Sequence, residues 1–390
     1  MLRRLLVLGA VAFAAQAQAQ AIKVGLMSVD AGPFAFFQAH LIEPVKFAAE
    51  QFNAQGGVLG GRRFEIVVQA HAGTPAGALQ TAQSLTEQSG VSFLTGFNTS
   101  AMALALQPRL PQLNALLLDA NASSDELTSK ACQPNYFRTS SNDSMQAAVL
   151  RSVIKSSGHK TWNLIAPDYA LGHDFNKRFR SVVEELGGSV LTTVFAAQGT
   201  TDFGSHISQL VAKPADGLAV VVVGSDGITF AKQQKQFGLF AKFKTVVSSN
   251  FTNDIALVGQ GDTTVGAYSA ISYSPEYPGP KNAAFVKAWV ERFKRPPSFI
   301  EAEHYQMMEV LKAAIERAGS TDVAAVRKAL VGLKANTIFG DVEMRGADHQ
   351  LMRPMALVQV EAAGEGKGRL ALRRLEPASA VVPPPALTCE

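Results

Sequence analysis

The alternation of short apolar runs with amphipathic stretches is the clearest pattern in the chain, and it starts at Ile22. Between the runs, apolar residues recur at helical spacing, as in Val45, Ala48 and Phe52. Strands separated by helices of about 10–15 residues predict right-handed β-α-β crossovers and a mostly parallel sheet. The strands predicted in this first series cover residues 22–27, 63–70, 91–96 and 115–119.

The same pattern starts again after Ser140. The strands predicted in this second series cover residues 161–166, 189–196, 218–223 and 243–248, and helices separate them. Two consecutive series of this kind predict an α/β protein with two doubly wound, Rossmann-like lobes, each with its own core.

The last third of the chain adds helices and strands that cannot all extend the sheet of the second lobe. A helical segment over 281–318, broken by Pro296 and Pro297, precedes strand-like pieces over 337–344 and 354–360. We expect the chain to return to the first lobe near 273–280 and to cross again near Leu351, so that several strands form a hinge beside a cleft. The predicted parts are an export signal (1–19), lobe 1 (20–139 and 275–350), lobe 2 (140–274 and 351–370) and an extended C-terminal tail (371–390).

The first residues have the pattern of a cleavable signal peptide. Arg3 and Arg4 precede an apolar run over 5–15, and alternating alanines over 15–19 supply small residues at cleavage spacing. The run is shorter than the roughly 20 residues that span a bilayer. No cysteine follows it to carry a lipid. We therefore expect export and a periplasmic location.

Composition and charge narrow the class of partner. The chain of 390 residues is 47% apolar and 17% charged, which is typical of a well-cored globular protein of two domains. Removing the signal takes away two arginines and lowers the net charge from +4 to +2. So small a charge argues against nucleic acid or an anionic membrane as a partner. We expect a monomer.

Two cysteines occur, Cys132 and Cys389. An oxidising compartment would let them pair, and the pair would tie the C-terminal tail to the first lobe. Two free thiols are the alternative, because the sequence does not show whether the two Cα atoms come within the ~7 Å that a disulfide tolerates. We predict the disulfide.

Motifs that would indicate catalysis are absent from the sequence. The glycines over 56–61 lack the Lys-Ser/Thr of a P-loop, and neither a dinucleotide fingerprint nor a nucleophile elbow occurs. The seven histidines show no metal-ligand spacing. His173 and Asp174 are interpreted as the start of a helix capped by Asp174, not as an acid–base pair. We expect no enzymatic activity and no cofactor.

Several segments, taken in order, resemble one known family. The segments are 22–25, 32–33, 52–58, 96–100, 115–127, 137–139, Gly172 after Asp168, and 339–340. They are similar to the branched-chain amino acid binding proteins of ATP-driven importers, which have the type I periplasmic binding fold. The resemblance implies a small-molecule ligand in the inter-lobe cleft and delivery to an inner-membrane ABC permease. A ligand-sensing receptor component of the same fold is the alternative.

The resemblance also implies ligand contacts. Ser100 matches the hydroxyl that meets a ligand carboxylate, and it also lies where a helix start would offer backbone N–H groups. Asn121, Ala122 and Ser123 match the next loop, with a backbone carbonyl and a second hydroxyl. The residues predicted to bind ligand are Phe37, Phe97, Asn98, Thr99, Ser100, Asn121, Ala122, Ser123, Tyr169, Ser225, Asp226 and Asn250.

Departures from the family pattern bear on the ligand class. Asn250 stands where amino-acid binders place a carboxylate for the ligand ammonium, and a buried ammonium without a counter-charge is costly. Asp226 would restore that charge if its carboxylate reaches the cleft. Phe34, Phe36, Phe37 and Phe97 offer ring faces near strand ends. We expect a small carboxylate, an aromatic acid or an amino acid, with an aromatic acid lacking the ammonium favoured.

Overall fold

The computed structural model describes residues 20–96 and 99–389, except for the side chains of Pro33, Phe34 and Phe36. The predicted signal over 1–19 and the predicted contacts Phe97 and Asn98 therefore lie outside the described residues, as do the side chains of Phe34 and Phe36.

The first lobe is built on a five-stranded parallel sheet with the order β2-β1-β3-β4-β5. Four of its strands are almost fully buried, as expected for a sheet that helices cover on both sides, and the edge strand β2 is half-buried. The five strands are β1 (Ile22–Val29), β2 (Phe64–His71), β3 (Phe93–Gly96), β4 (Leu116–Asp119) and β5 (Tyr136–Arg138). The crossover helices are α1 (Gln38–Ala54), α2 (Pro75–Glu87) and α3 (Ser100–Leu106).

The second lobe repeats this order as β7-β6-β8-β9-β10. Its parallel strands are β6 (Thr161–Pro167), β7 (Ser189–Ala196), β8 (Gly217–Val220), β9 (Thr245–Ser249) and β10 (Tyr268–Ile271). Its helices are α4 (Asp143–Ser157), α5 (Ala170–Glu185), α6 (Gly204–Ala212), α7 (Gly224–Gln236) and α8 (Asp254–Gln260).

The chain then returns to the first lobe through α9 (Pro280–Phe293), α10 (Phe299–Ala318) and α11 (Val323–Leu330). Trp289 of α9 and Met308 of α10 share a buried core with Val24 of β1. The start of α10 is well defined, because Ser298 and Glu301 form a reciprocal capping box.

The C-terminal strands belong to two different sheets. A small antiparallel sheet contains β11 (Lys334–Thr337), β12 (Gly340–Met344) and β13 (Leu351–Met352). Two antiparallel strands then extend the second sheet beyond β10, and a short helix follows them. These are β14 (Met355–Gly364), β15 (Lys367–Glu376) and α12 (Ala378–Val381). Short 3-10 turns cover Gly32–Phe37, Gln107–Arg109, Asp125–Thr128 and Phe240–Lys242.

Three details differ from the sequence-based expectation. The predicted strand over 337–344 is a hairpin, because the chain turns between β11 and β12. The crossing predicted at Leu351 comes later, since β13 still pairs with β12 and Leu351 lies in the first lobe's core. The predicted tail over 371–390 begins inside β15, whose alternation of exposed and half-buried residues is that of an edge strand.

A disulfide joins Cys132 to Cys389, with the two Cα atoms 5.3 Å apart. The backbone N–H of Cys389 donates to the carbonyl oxygen of Ala347 at 2.7 Å, which places the end of the tail on the first lobe. Val381, a few residues earlier, is buried in a core of the second lobe. The tail therefore contacts both lobes.

No helix among the described residues is long and apolar enough to cross a membrane.

Candidate ligand-binding cleft

A cavity of about 330 Å³ lies between the lobes, at the carboxyl ends of the parallel strands of both sheets. Loops after β1, β2, β3 and β4 line it on one side, and loops after β6, β7, β8, β9 and β10 line it on the other. In doubly wound sheets the carboxyl ends of the strands are where ligands bind. The position of the cavity thus follows from the topology.

The lobe-1 wall consists of Thr99, Ser100, Asn121, Ala122 and Ser123. Thr99 caps α3, since its Oγ1 accepts the backbone N–H of Met102 at 3.3 Å. The Oγ of Ser100 accepts the backbone N–H of Ser124 at 3.1 Å, which leaves the hydroxyl hydrogen available to a ligand. This wall presents hydroxyls.

Buried Asp119 holds the second loop of the lobe-1 wall in place. Its Oδ1 accepts the backbone N–H groups of Asn121 at 2.9 Å and Ala122 at 3.0 Å, and its Oδ2 accepts the Tyr136 hydroxyl at 3.1 Å. Burial raises the pKa of the Asp119 carboxyl, although these donors oppose the shift. The shape of the loop therefore depends on a side chain outside the cavity.

Ser123 ends the lobe-1 wall at the first crossing between the lobes. Its carbonyl oxygen accepts the backbone N–H of Asp143 at 2.9 Å, and its hydroxyl lowers the pKa of the Asp143 carboxyl. Burial and the nearby Asp125 carboxylate outweigh that effect and raise the pKa of Asp143 well above its ordinary value.

The lobe-2 wall consists of Gln146, Tyr169 and Asn250. Burial, together with the Asp226 carboxylate, raises the pKa of the Tyr169 phenol, so that it stays neutral. Asn250 has a φ of 56°, a left-handed conformation that asparagine tolerates better than most residues. Gln146 donates from Nε2 to Asn250 Oδ1 at 3.1 Å. This wall presents neutral amides and a phenol.

Ser225 and Asp226 lie outside the cavity wall, contrary to the sequence-based expectation. The Asp226 carboxylate accepts the backbone N–H of Gly199 at 2.7 Å and the Ser225 hydroxyl at 3.3 Å. Gly224 lines the cavity in their place, because the turn after β8 brings its backbone to the surface. Asp226 therefore does not supply the missing counter-charge inside the cavity.

His173 and Asp174 also differ from expectation. The helix α5 starts at Ala170, so Asp174 lies within it and does not cap it. The Asp174 Oδ2 accepts the Ser124 hydroxyl at 2.5 Å, and Arg178 on the same helix donates to Asp125 at 2.7 Å. These contacts join the second lobe to the first beside the cavity.

Glu303 is a lining residue that the sequence reasoning missed. It is buried in α10, and its carboxylate accepts a hydrogen bond from the fully buried Arg353. Burial raises the pKa of Glu303, and Arg353 together with the Ser272 hydroxyl and the backbone N–H of Ser141 opposes that shift. Among the described lining residues Glu303 alone carries a charged group, and Arg353 compensates it. The sequence signal that could have identified Glu303 was a carboxylate residue within a mostly apolar helix.

The rest of the cavity surface is mostly apolar. Phe37 and Phe299 contribute rings, and aliphatic side chains fill the space between them. The side chains that do so are Leu171, Val223, Ile228, Ile271 and Ile300. An apolar body with few polar anchors is typical of a site for a small organic ligand.

Comparison with known proteins assigns the chain to a family. Residues 21–365 match the family described as periplasmic binding protein. The chain belongs to this family. Its members are solute-binding proteins of ABC transporters and are not enzymes. The chain is also 25% identical over 360 residues to the Leu/Ile/Val-binding protein homolog 6 of Brucella melitensis, covering 90% of this chain and 91% of that protein.

Two solved structures show the same fold. One is the leucine-, isoleucine-, valine-, threonine- and alanine-binding protein of Brucella ovis in a closed conformation, with 20% identity, a TM-score of 0.85 and coverage of 95% and 99% of the two chains. The other is a solute-binding protein of an ABC transporter from Rhodopseudomonas palustris BisB5 in complex with 3,4-dihydroxybenzoic acid. Its identity is 22%, its TM-score 0.83 and its coverage 92% and 98%.

Proposed function

We propose that this protein is the periplasmic solute-binding component of an ABC importer, and that it captures a small carboxylate, preferably an aromatic acid without an α-ammonium. It delivers that acid, as a monomer, to an inner-membrane permease. The observation that carries the proposal is the charge distribution of the cavity, where hydroxyls face neutral amides and Arg353 compensates the charge of Glu303.

This charge distribution disfavours a zwitterion. An α-ammonium would need an unpaired acidic partner to offset its loss of water. The Glu303 charge is already compensated, and Asp226 lies outside the wall. A carboxylate, by contrast, can accept hydrogen bonds from Ser100 and Ser123.

Size and shape also support an aromatic acid. A cavity of about 330 Å³ is at the small end of the range for organic ligands and suits a single ring. Phe37 and Phe299 supply ring faces to such a ligand. The relative from Rhodopseudomonas palustris binds a dihydroxybenzoic acid, whereas the one from Brucella ovis binds amino acids.

Side-by-side calorimetry of leucine, phenylalanine, benzoate and 4-hydroxycinnamate tests the proposal. We expect the two acids to bind more tightly than either amino acid. A thermal-shift screen with every ligand at the same concentration gives the same ranking, because stabilisation rises with the ratio of ligand concentration to Kd and reaches about 2.7 kcal/mol at a ratio of 100. Micromolar binding of leucine without any response to the acids would contradict the proposed ligand class.

A further inference from the structure

We propose that Gln146 determines whether the lobe-2 wall offers the ligand a hydrogen-bond donor or an acceptor. It does so by holding Asn250 so that its amide nitrogen, and not its oxygen, faces the ligand. Gln146 would thereby select acids that carry a hydrogen-bond acceptor at the end away from the carboxylate. This inference rests on the proposed function, because it concerns which group of a bound acid meets the lobe-2 wall.

Gln146 is held at both ends of its amide. It is 4% exposed, on the first turns of α4. Its Oε1 accepts the Ser249 hydroxyl at 2.9 Å, while its Nε2 donates to Asn250 Oδ1 at 3.1 Å and to the Ser141 hydroxyl at 3.3 Å. A buried amide with all these partners has little freedom to turn.

Asn250 is held by its backbone as well as by Gln146. Its carbonyl oxygen accepts Asn253 Nδ2 at 3.2 Å, and its left-handed conformation directs the side chain. Because Oδ1 is engaged by Gln146, the Nδ2 group is what Asn250 offers to the cavity. That nitrogen carries two hydrogens, and its contact with Ser249 Oγ is long, at 3.5 Å.

A donor at this position distinguishes ligands by whether the end away from the carboxylate accepts or donates a hydrogen bond. A carbonyl or other acceptor oxygen completes a hydrogen bond with Nδ2. An ammonium carries only donors, so it would meet another donor and leave both groups unpaired. The substrate class that follows is an aromatic acid with an acceptor oxygen opposite its carboxylate.

The test compares 4-acetylbenzoate, which offers an acceptor, with 4-(aminomethyl)benzoate, which offers an ammonium. Calorimetry should show that the wild-type protein binds the acetyl compound at least about tenfold more tightly. In Gln146→Glu the new side chain can only accept from Asn250, so the Asn250 oxygen turns to the cavity and the preference should reverse. If Gln146→Glu fails to fold, Asn250→Asp takes its place. Aspartate tolerates the same backbone conformation, and this variant should reverse the preference as well.

Gln146→Met is the neutral control, because it removes all three hydrogen bonds of the Gln146 amide, including the one to Asn250, without adding charge. The freed Asn250 amide can turn to suit either ligand, so the affinities for 4-acetylbenzoate and 4-(aminomethyl)benzoate should differ by no more than about threefold. The ratio of the two affinities reports orientation, since a general loss of stability would weaken both ligands alike. A wild-type ratio retained in Gln146→Met would overturn this inference while leaving the proposed function intact. Wild-type protein that binds neither acid would overturn both.

Discussion

The two walls of the cavity are built by different means. In the lobe-1 wall a side chain outside the cavity fixes the backbone, because the Asp119 carboxylate accepts the N–H groups of Asn121 and Ala122. The lobe-2 wall is shaped by side chains, because Gln146 orients Asn250 through an amide–amide hydrogen bond. The lobe-1 wall suits the carboxylate that all the proposed ligands share, and the lobe-2 wall suits the part by which they differ. Affinity and selectivity are thus assigned to different lobes.

The largest effect should come from the lobe-1 wall. Ser100→Ala and Ser123→Ala each remove a hydrogen bond to a charged group and should weaken every acid about ten- to a hundredfold, as measured by calorimetry. Loss of one acid with retention of another would contradict the assignment of this wall to the shared carboxylate.

Ser100→Ala should also lower the free energy of unfolding without ligand, because it leaves the buried N–H of Ser124 unpaired. The cost of such a group is about 1–3 kcal/mol. Ser123→Ala is the comparison variant, because its hydroxyl serves the side chain of buried Asp143 and no backbone donor in the described structure. A ligand-free melting temperature of Ser100→Ala equal to that of the wild-type protein would argue against the Ser124 contact.

A pH effect of up to about tenfold should follow from Asp254, where α8 of the second lobe meets α10 of the first. Its Oδ2 accepts the backbone N–H of Phe299 at 2.8 Å. Burial, with Glu301 nearby, raises its pKa to about 7. Glu301 is itself paired with His40 and Arg295, and the phenol of Tyr273 also interacts with Asp254.

The contact between Asp254 and Phe299 joins the two lobes, so we take the described arrangement as the closed form. In a form with the lobes apart, water would lower the pKa of Asp254 towards its ordinary value. The closed form then binds the proton more tightly, so closure is favoured as pH falls through 7, and ligands should bind more tightly at pH 6 than at pH 8. Asp254→Asn keeps the acceptor and should lose the pH dependence. An unchanged pH profile in that variant would assign the effect to another group.

A smaller effect is expected at the lobe-2 wall. Tyr169→Phe removes a neutral phenol and should weaken 4-hydroxycinnamate by about fivefold, with little change for benzoate. Calorimetry of both acids measures the difference. Equal losses of affinity for the two acids would place Tyr169 against the carboxylate and would contradict the assignment of different roles to the two walls.

The smallest effect on affinity should come from the disulfide. Cys132→Ser with Cys389→Ser should leave Kd within about twofold, because neither residue lines the cavity. The free energy of unfolding should nevertheless fall by roughly 5–6 kcal/mol, the chain-entropy estimate for a loop closed by a separation of 257 residues. Titration of the unfolded, unreduced wild-type protein should find no free thiols, and two would contradict the pairing.

Sequence reasoning found the parallel strands of both lobes except β5 and β10, because short apolar runs mark most of the strands of such sheets. It missed β5, β10, α8 and α11, which are short, and β15, where charged residues on the exposed face interrupt the apolar pattern.

The candidate site was predictable where residues directly follow strands. Ser100 and the loop of Asn121 are of this kind, and the structure places both on the cavity. Gln146 and Glu303 were missed because they lie within helices, and only the packing of the lobes brings them to the cavity. Asp226 was misplaced because a residue near a strand end can still face away from the cleft.

The link between Cys132 and Cys389, with a sequence separation of 257 residues, turns most of the molecule into a covalent ring. The ring contains the whole second lobe and the helices that return to the first, while β1 to β4 lie on a branch outside it. A single peptide-bond cut within the ring opens it without releasing a fragment. A protein nicked once by a protease in that region therefore keeps its full mass until it is reduced.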